Sequence, residues 1–290
     1  MGRALCLDAG VREIPARPVV GVLHPGLMGA AIGSALKARA GAVIWADAGR
    51  SDATAKRAEI ADLIAVPDVT ELARRSDVVV SICPPHAASA VAAEVAAAVA
   101  DREPPLYVEA NAVSPATVTA VADLLGPDNV VDGAVIGPPG WERGTTVLWL
   151  AGARAEVVAD LFAGSPFDAR VLSSRLGAAS ALKACFAVQS KAIPAAWLAL
   201  HAAARTYGVE EALQAELDRD GAAPDRPISE VGRRAARVAW RWAGEMDEAA
   251  AAFAAAGLPD GFSAAAGEVY RRIADADPDE RRDVWGITAP

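Results

Sequence analysis

The sequence predicts an α/β N-terminal domain followed by an all-α C-terminal domain, the two linked by a long helix. Three observations carry this. Runs rich in Val and Ile alternate with Ala-rich helical stretches from Val19 to Leu172, and the first such pair is joined by a glycine-bearing turn. The helix-length stretch Gly177 to Arg205 is apolar nearly all round, which marks a buried helix. Beyond it only helical blocks follow, at Glu210 to Asp218, Ser229 to Ala255 and Glu268 to Ala274. A chain of 290 residues exceeds what one core usually supports. The expected division is a tail over 1–18, an α/β domain over 19–174 and a helical domain over 175–290.

Val19 to Leu23 is a β-branched strand, His24-Pro25-Gly26-Leu27-Met28-Gly29 a turn, and the following helix runs to Ala40 before a second strand at Ala42 to Trp45. This β-α-β unit suits a dinucleotide. Gly26 lets the backbone approach a pyrophosphate, Gly29 allows close helix contact, and the helix N-terminus offers its N–H groups to an anion. His24 stands where the usual fingerprint has its first glycine. After the second strand, Asp47 suits the ribose 2′-hydroxyl of NAD, whereas Arg50 and Ser51 suit the 2′-phosphate of NADP. The small cationic loop Gly49-Arg50-Ser51 favours NADP, with NAD the alternative.

The alternation continues through helices at Asp52 to Ile60 and Asp68 to Arg75 and a buried strand at Asp77 to Ile82. That strand ends in Cys83-Pro84-Pro85, prolines that fix a loop expected to brush the cofactor. Ala87 to Ala100 is a helix and Leu106 to Glu109 a strand whose end places Asn111 toward the nicotinamide ribose. Strands at Val130 to Ile136 and Thr146 to Ala151 flank a turn containing Trp141 and Arg143. Glu156 to Phe162 is helical, and Ala169 to Leu172 is the last strand.

Lysine is rare here: Lys37, Lys56, Lys183 and Lys191 are the only four, and two sit in the apolar helix. A buried ammonium is costly unless paired or used. Unlike Arg, Lys shifts its pKa when desolvated and can give and take a proton. Lys183 is therefore the candidate proton donor. Ser180 and Ala187 share its face at one-turn spacing, and Ser190 two turns on is the polar residue able to orient a substrate. Lys191, rotated off that face, reads as an ion-pair or snorkelling residue, and Pro194 is expected to kink the helix. Trp240 and Trp242 straddle Arg241 and so point to different faces. Trp242 and Met246 are candidates to close over substrate, Trp240 to pack in a core or dimer contact.

A formal net charge of −9 with no basic run argues against a nucleic-acid partner. The Ala-rich runs are interrupted by Pro, Lys or Glu, so no membrane span is expected. Three cysteines, Cys6, Cys83 and Cys185, are odd in number and widely spaced. They indicate neither a disulfide frame nor a metal site, and point to the cytoplasm. Asp8 and Glu13 in the first eighteen residues argue against a signal peptide.

Gly26-Leu27-Met28-Gly29, Cys83-Pro84-Pro85, Glu109-Ala110-Asn111, the run from Asp132 to Pro139 and the Lys183 helix occur in one order. Together they resemble the β-hydroxyacid dehydrogenase and 6-phosphogluconate dehydrogenase superfamily. The text around Trp240 to Met246 and Ala256 to Phe262 resembles a bacterial branch whose C-terminal domain has no settled function. The resemblance implies a Rossmann domain joined by a long helix to an all-helical, usually homodimeric, domain. It implies hydride transfer between nicotinamide and a carbonyl or hydroxyl carbon, with Lys183 protonating or deprotonating the oxygen. Where relatives carry Ser-Gly-Gly to hold a substrate carboxylate, this chain has Ile136-Gly137-Pro138. Where they carry Asn one turn after the lysine, it has Ala187. Imine reduction or reductive amination is accordingly the alternative chemistry, and non-catalytic NADP binding a third reading.

Overall fold

The computed structural model describes residues 12–276, so Cys6 and Asp8 lie outside the described residues. The chain divides into two compact units. The first comprises the chain to Cys83, Ala87–Asn111 and Thr117–Ala179, and the second Pro84–His86, Ala112–Ala116 and the chain from Ser180.

The first unit is one eight-stranded sheet in the order β3-β2-β1-β4-β5-β6-β7-β8. β1 (Val19–Val22), α1 (Leu27–Leu36) and β2 (Ala42–Ala46) form the opening β-α-β unit, with Val19 paired to Ala42 in parallel register. α2 (Asp52–Ile60) leads to β3 (Ile64–Val66), and α3 (Val69–Arg75) to β4 (Val78–Ser81), which returns to the other side of β1. The chain then steps outward through α4 (Ala88–Ala98), β5 (Leu106–Glu109), α5 (Pro115–Leu125) and β6 (Val130–Ile136), all strand pairs parallel. That order reverses beside β1, which in doubly wound sheets puts the ligand crevice at the carboxyl ends of β1 and β4. β7 (Val147–Ala151) runs antiparallel to β6 as the far arm of the Trp141 turn; α6 (Ala155–Leu161) and β8 (Asp168–Ser173) close the sheet. Val20, Val22, Val78, Val80, Leu106 and Val108 fill the core between sheet and helices, with Ile32 and Leu36 from α1.

Two details depart from the sequence reading. β3 is not expected from sequence: it has three residues, two of them exposed, too short to show a period. Part of the expected tail is also held in place. Arg12 pairs with Asp77 at 2.5 Å, the Arg17 guanidinium donates to the Ala40 carbonyl at 2.9 Å, and Asp77 also accepts the Val19 N–H at 2.9 Å.

The second unit holds α7 (Ala178–Ala187) from Ser180 on, a π-helical stretch (Val188–Ala192) and α8 (Ile193–Tyr207), followed by α9 (Glu210–Asp220), α10 (Ile228–Ala255) and α11 (Gly261–Asp275). α11 starts seven residues before the expected Glu268. Pro194 stands at the start of α8, directly after the π stretch. A proline denies a helical donor to the carbonyl four residues back, and looser i→i+5 bonding is one way a helix absorbs the misfit. Ala195, Leu198, Ala202, Ala239, Met246 and Tyr270 form this unit's core. Small alanines on both sides bring the helices close. No described helix is long and apolar enough to cross a membrane.

Candidate functional site

In the first unit the strand-to-helix turn is built around its glycines. Gly26 is the N-cap of α1, its N–H donating to the His24 carbonyl at 2.8 Å and its own carbonyl accepting the Ala30 N–H at 2.9 Å. A Cβ on Gly29 would stand 2.1 Å from the His24 carbonyl oxygen and 3.1 Å from Ile82, so only glycine lets α1 start this near the strand ends. A Cβ on Gly26 would meet nothing within 4 Å, and its φ of −66° is open to any residue. No neighbour among the described residues requires glycine there. Pro25 is buried, Met28 half-buried and Leu27 exposed.

His24 Nδ1 and Arg50 Nε are both buried without a hydrogen-bond partner among the described residues. Burial, then the Arg50 charge, push the His24 imidazole down to about 4, so it stays neutral. Arg50 is thus near enough to act on the turn. Two orphaned polar groups beside a helix N-terminus form a lining that an anionic, acceptor-rich ligand would satisfy. Ser51 caps α2 by accepting the Thr54 N–H at 3.3 Å, so the cap falls to Ser51 and not to Asp47, whose side chain is exposed.

The loops after β4 and β5 are bound by one side chain. Asn111 accepts the Cys83 N–H through Oδ1 and donates through Nδ2 to Ser81 Oγ at 2.9 Å, while its own N–H reaches Glu109 Oε1 at 3.0 Å. At 2% exposure its amide serves as an internal bracket between two strand ends. Strand-end amides lacking a ladder partner must be satisfied, and Asn111 satisfies that of Cys83. Burial and the Glu109 charge push the Cys83 thiol up to about 12, leaving it protonated and unreactive. Gly137, at φ +135°, would put a Cβ 2.4 Å from the Thr145 carbonyl oxygen, and Thr146 Oγ1 donates to the Pro138 carbonyl at 2.6 Å. Ile136-Gly137-Pro138 is therefore a fixed turn without a polar side chain. The Arg143 guanidinium is tied to the Gly164 carbonyl, and Trp141 is exposed.

In the second unit, Lys183 is half-buried on α7 with Ser180 and Ala187 buried one turn to either side. Burial pushes its amine down, the Lys191 charge adds to this, and Glu245 partly offsets both, leaving a pKa of about 8. Lys191 Nζ lies 3.0 Å from Glu245 Oε2, and Arg241 Nε lies 3.2 Å from Glu245 Oε1. The ion-pair reading of Lys191 thus agrees with the structure. Ser190 Oγ donates to the Phe186 carbonyl at 2.7 Å, a backbone bond within its own helix.

Trp242 and Met246 are core residues of this unit, at 6% and 0% exposure, whereas Trp240 is 60% exposed. Of the two tryptophans it is thus Trp242, and not Trp240, that packs in the core. The side of α10 that carries Trp242, Met246 and Ala249 packs on α8 and α11 and needs large apolar groups. Trp242 meets Tyr270 edge-on at 5.2 Å, and the Tyr270 hydroxyl donates to the Lys191 carbonyl at 2.7 Å. The sequence reading missed Tyr270 and the role of Glu245. The detectable signal was an acid, Glu245, flanked by Trp242, Met246 and Ala249 on an otherwise apolar helix face. On α8, Ile193, Leu200 and Tyr207 are exposed, as are Ala196 and Ala203 between them. No group of His, Cys, Asp and Glu among the described residues could hold a metal ion.

Residues 204–273 match the family model described as a domain of unknown function, DUF1932. A search of curated proteins gives no match. Among solved structures, a conserved hypothetical protein from Sinorhizobium meliloti aligns at TM-score 0.65 and 23% identity, over 93% of this chain and 96% of that one. Mycobacterium tuberculosis 3-hydroxyisobutyrate dehydrogenase, solved with L-serine, aligns at TM-score 0.63 and 20% identity, over 89% and 94%. An imine reductase from Myxococcus stipitatus in complex with NADP+ aligns at TM-score 0.52 and 18% identity, over 88% and 93%. The chain has the fold of these proteins, as the sequence resemblance implies.

Proposed function

We propose that this protein is a nicotinamide-dependent oxidoreductase that interconverts a small carbonyl compound and its alcohol, with Lys183 as proton donor and acceptor. The observation that carries the reading is the Lys183 amine, set in an apolar helix and pushed down to about 8. A lysine so perturbed exchanges protons near neutrality, whereas an ordinary one stays charged. Proton donation by a positioned group contributes about a hundred- to ten-thousandfold to rate.

The first unit fits the cofactor. Gly26 and the α1 N-terminus would take the pyrophosphate, with Pro25, Leu27 and Met28 lining the turn. Arg50 and Ser51 would take a 2′-phosphate, and His24 would lie beside the pyrophosphate as a neutral hydrogen-bonding group. The orphaned Arg50 nitrogen favours NADP over NAD, because a 2′-phosphate supplies the acceptor it lacks. When bound, the cofactor supplies or accepts the hydride. Cys83, Pro84 and Pro85, braced by Asn111, form the neighbouring loop wall.

Imine reduction is the second reading. Ile136, Gly137, Pro138 and Ala187 bring no side-chain donor where hydroxyacid dehydrogenases hold a carboxylate, which suits a less polar substrate. We further propose a cytoplasmic homodimer. Ile193, Ala196, Leu200, Ala203 and Tyr207 repeat at intervals of three and four on the exposed side of α8, the spacing of a two-helix seam.

The deciding experiment measures NADPH and NADH affinity, then NADPH oxidation against carbonyl compounds with and without added amines. NADPH turnover on carbonyls alone is expected. Lys183→Met is expected to keep cofactor affinity and lose at least a hundredfold in turnover; unchanged turnover in that variant overturns the mechanism. Tight NADPH binding with no oxidation of any kind would replace catalysis by nucleotide sensing.

A further inference from the structure

α10 buries one side and charges the other. At about 100° per residue, Ala235, Ala239, Trp242 and Met246 fall together on the side that packs in the core. Glu230, Arg233, Arg234 and Arg237 fall within an arc of roughly 100° on the opposite side, and the three arginines are exposed. With Arg226, from the turn just before the helix, these residues line an open cavity of about 700 Å³ in the second unit. That is room for a small molecule, since ligand sites run on the order of 300–1,000 Å³.

The charge of this cavity is not balanced from within the chain. Arg226 Nη1 lies 2.5 Å from Glu230 Oε1, which engages the cavity's one carboxylate. Arg233, Arg234 and Arg237 have no acidic partner among the described residues, whereas elsewhere in the unit Arg205, Arg219, Arg241, Arg271 and Arg272 each hold a Glu or Asp. Arg233 and Arg237 stand four apart, a helical spacing at which like charges repel. Arg234 is oriented by a ring: its guanidinium stands 5.4 Å from the centroid of Trp242, which fixes the side chain without cancelling its charge. The N-terminus of α10, which no side chain caps, adds its partial positive charge at the same end.

We propose that this cavity binds a small anion carrying at least two phosphate groups, held by Arg226, Arg233, Arg234 and Arg237. Guanidinium groups match phosphate oxygens two at a time. Two phosphate groups bring about three to four negative charges, against a surplus of three positive ones among four arginines and one glutamate. A single carboxylate would leave most of that surplus in place. A long polyanion would meet the acidic remainder of a chain of net charge −9, whereas a small one feels chiefly the charges within about 8–10 Å at physiological salt. The cavity belongs to the second unit and the dinucleotide turn to the first, so the two anion sites are separate.

Calorimetric titration of the full-length protein with inorganic pyrophosphate, at about 0.15 M salt, tests this. One site per chain is expected, with inorganic phosphate about tenfold weaker or more. Arg233→Gln combined with Arg237→Gln is expected to weaken pyrophosphate about tenfold or more. Arg219→Gln combined with Arg272→Gln, the same change of charge outside the cavity, should stay within about twofold. Glu230→Gln removes the competing carboxylate and is expected to tighten binding about threefold, whereas Glu216→Gln should not. Arg50→Gln should leave pyrophosphate binding unchanged; loss there, with none in the Arg233 and Arg237 double variant, would assign the pyrophosphate to the dinucleotide turn and overturn the proposal. Equal loss in both double variants, or no binding at all, also overturns it. So does a tetraglutamate peptide that binds as tightly as pyrophosphate, which would make this face a docking surface for an acidic protein. The substituted arginines are exposed and glutamine suits a helix, so circular dichroism is expected to be unchanged. Should the Arg233 and Arg237 double variant fail to fold, Glu230→Gln against Glu216→Gln decides alone.

Discussion

The carbonyl oxygen of His24 occupies the space that a side chain on residue 29 would need, 2.1 Å from an ideal Cβ at Gly29. Three residues earlier, at Gly26, the same construction meets nothing within 4 Å. The two glycines of one turn therefore differ: packing within the chain requires glycine at 29 and leaves open space at 26. Gly29→Ala is expected to cost about 1–3 kcal/mol of stability, as over-packing against backbone does. Gly26→Ala should cost under about 1 kcal/mol, the scale of a changed N-cap, yet weaken NADPH binding at least tenfold. Urea unfolding and fluorescence titration of NADPH check the pair. Equal losses in both properties for both variants would remove the distinction.

His24 makes the fold acid-sensitive. Its imidazole is pushed from the ordinary 6.5 down to about 4, so the unfolded chain takes up a proton that the folded one refuses. The associated stability is fully present above pH 6.5 and is lost as pH falls through about 4. At pH 5 the linked loss is about 2 kcal/mol. His24→Asn should show a smaller fall in unfolding free energy between pH 7 and pH 5 than the parent, by that amount. An identical fall would place the acid sensitivity elsewhere.

The exposed seam on α8 leads to a further expectation. Ile193, Leu200 and Tyr207 stand seven residues apart, with Ala196 and Ala203 between, opposite the helix side that Ala195, Leu198 and Ala202 bury in the core. Alanines at the intervening positions allow a second helix to come close. Leu200→Asp, alone or with Ile193→Asp, is expected to convert a dimer to a monomer without loss of helical circular dichroism. Light scattering coupled to size exclusion measures it. A dimer that survives both substitutions does not use this seam.

The sheet was legible because its strands are continuous β-branched runs bounded by turn residues, as at Asp77 to Ile82, where the structure has Val78–Ser81. Asp52–Ile60, Leu106–Glu109 and Val130–Ile136 fall where the sequence puts them. β3 was not legible, since pairing to Ile44, Trp45 and Ala46 creates it and its own three residues carry no pattern. In the candidate site the glycine turn could be read from spacing, whereas the bracket made by Asn111 could not. That bracket joins Cys83 and Ser81, 28 and 30 residues away, and nothing local in a turn asparagine distinguishes an internal role from an exposed one. Trp240 and Trp242 were separable as facing different ways, but which way was inward depended on α8 and α11.

Sequence by itself determined that α/β units precede helices, that the first turn suits a dinucleotide, and that two lysines sit in an apolar helix. Those features are local, fixed by residue type and period along a few turns of chain. Only the tertiary structure decided which acid holds Lys191. Glu245 lies 54 residues beyond Lys191 in the chain, and folding brings the two to 3.0 Å. A charge in an apolar setting takes its proton affinity from whatever folding places within a few ångströms, and distance along the sequence does not report that.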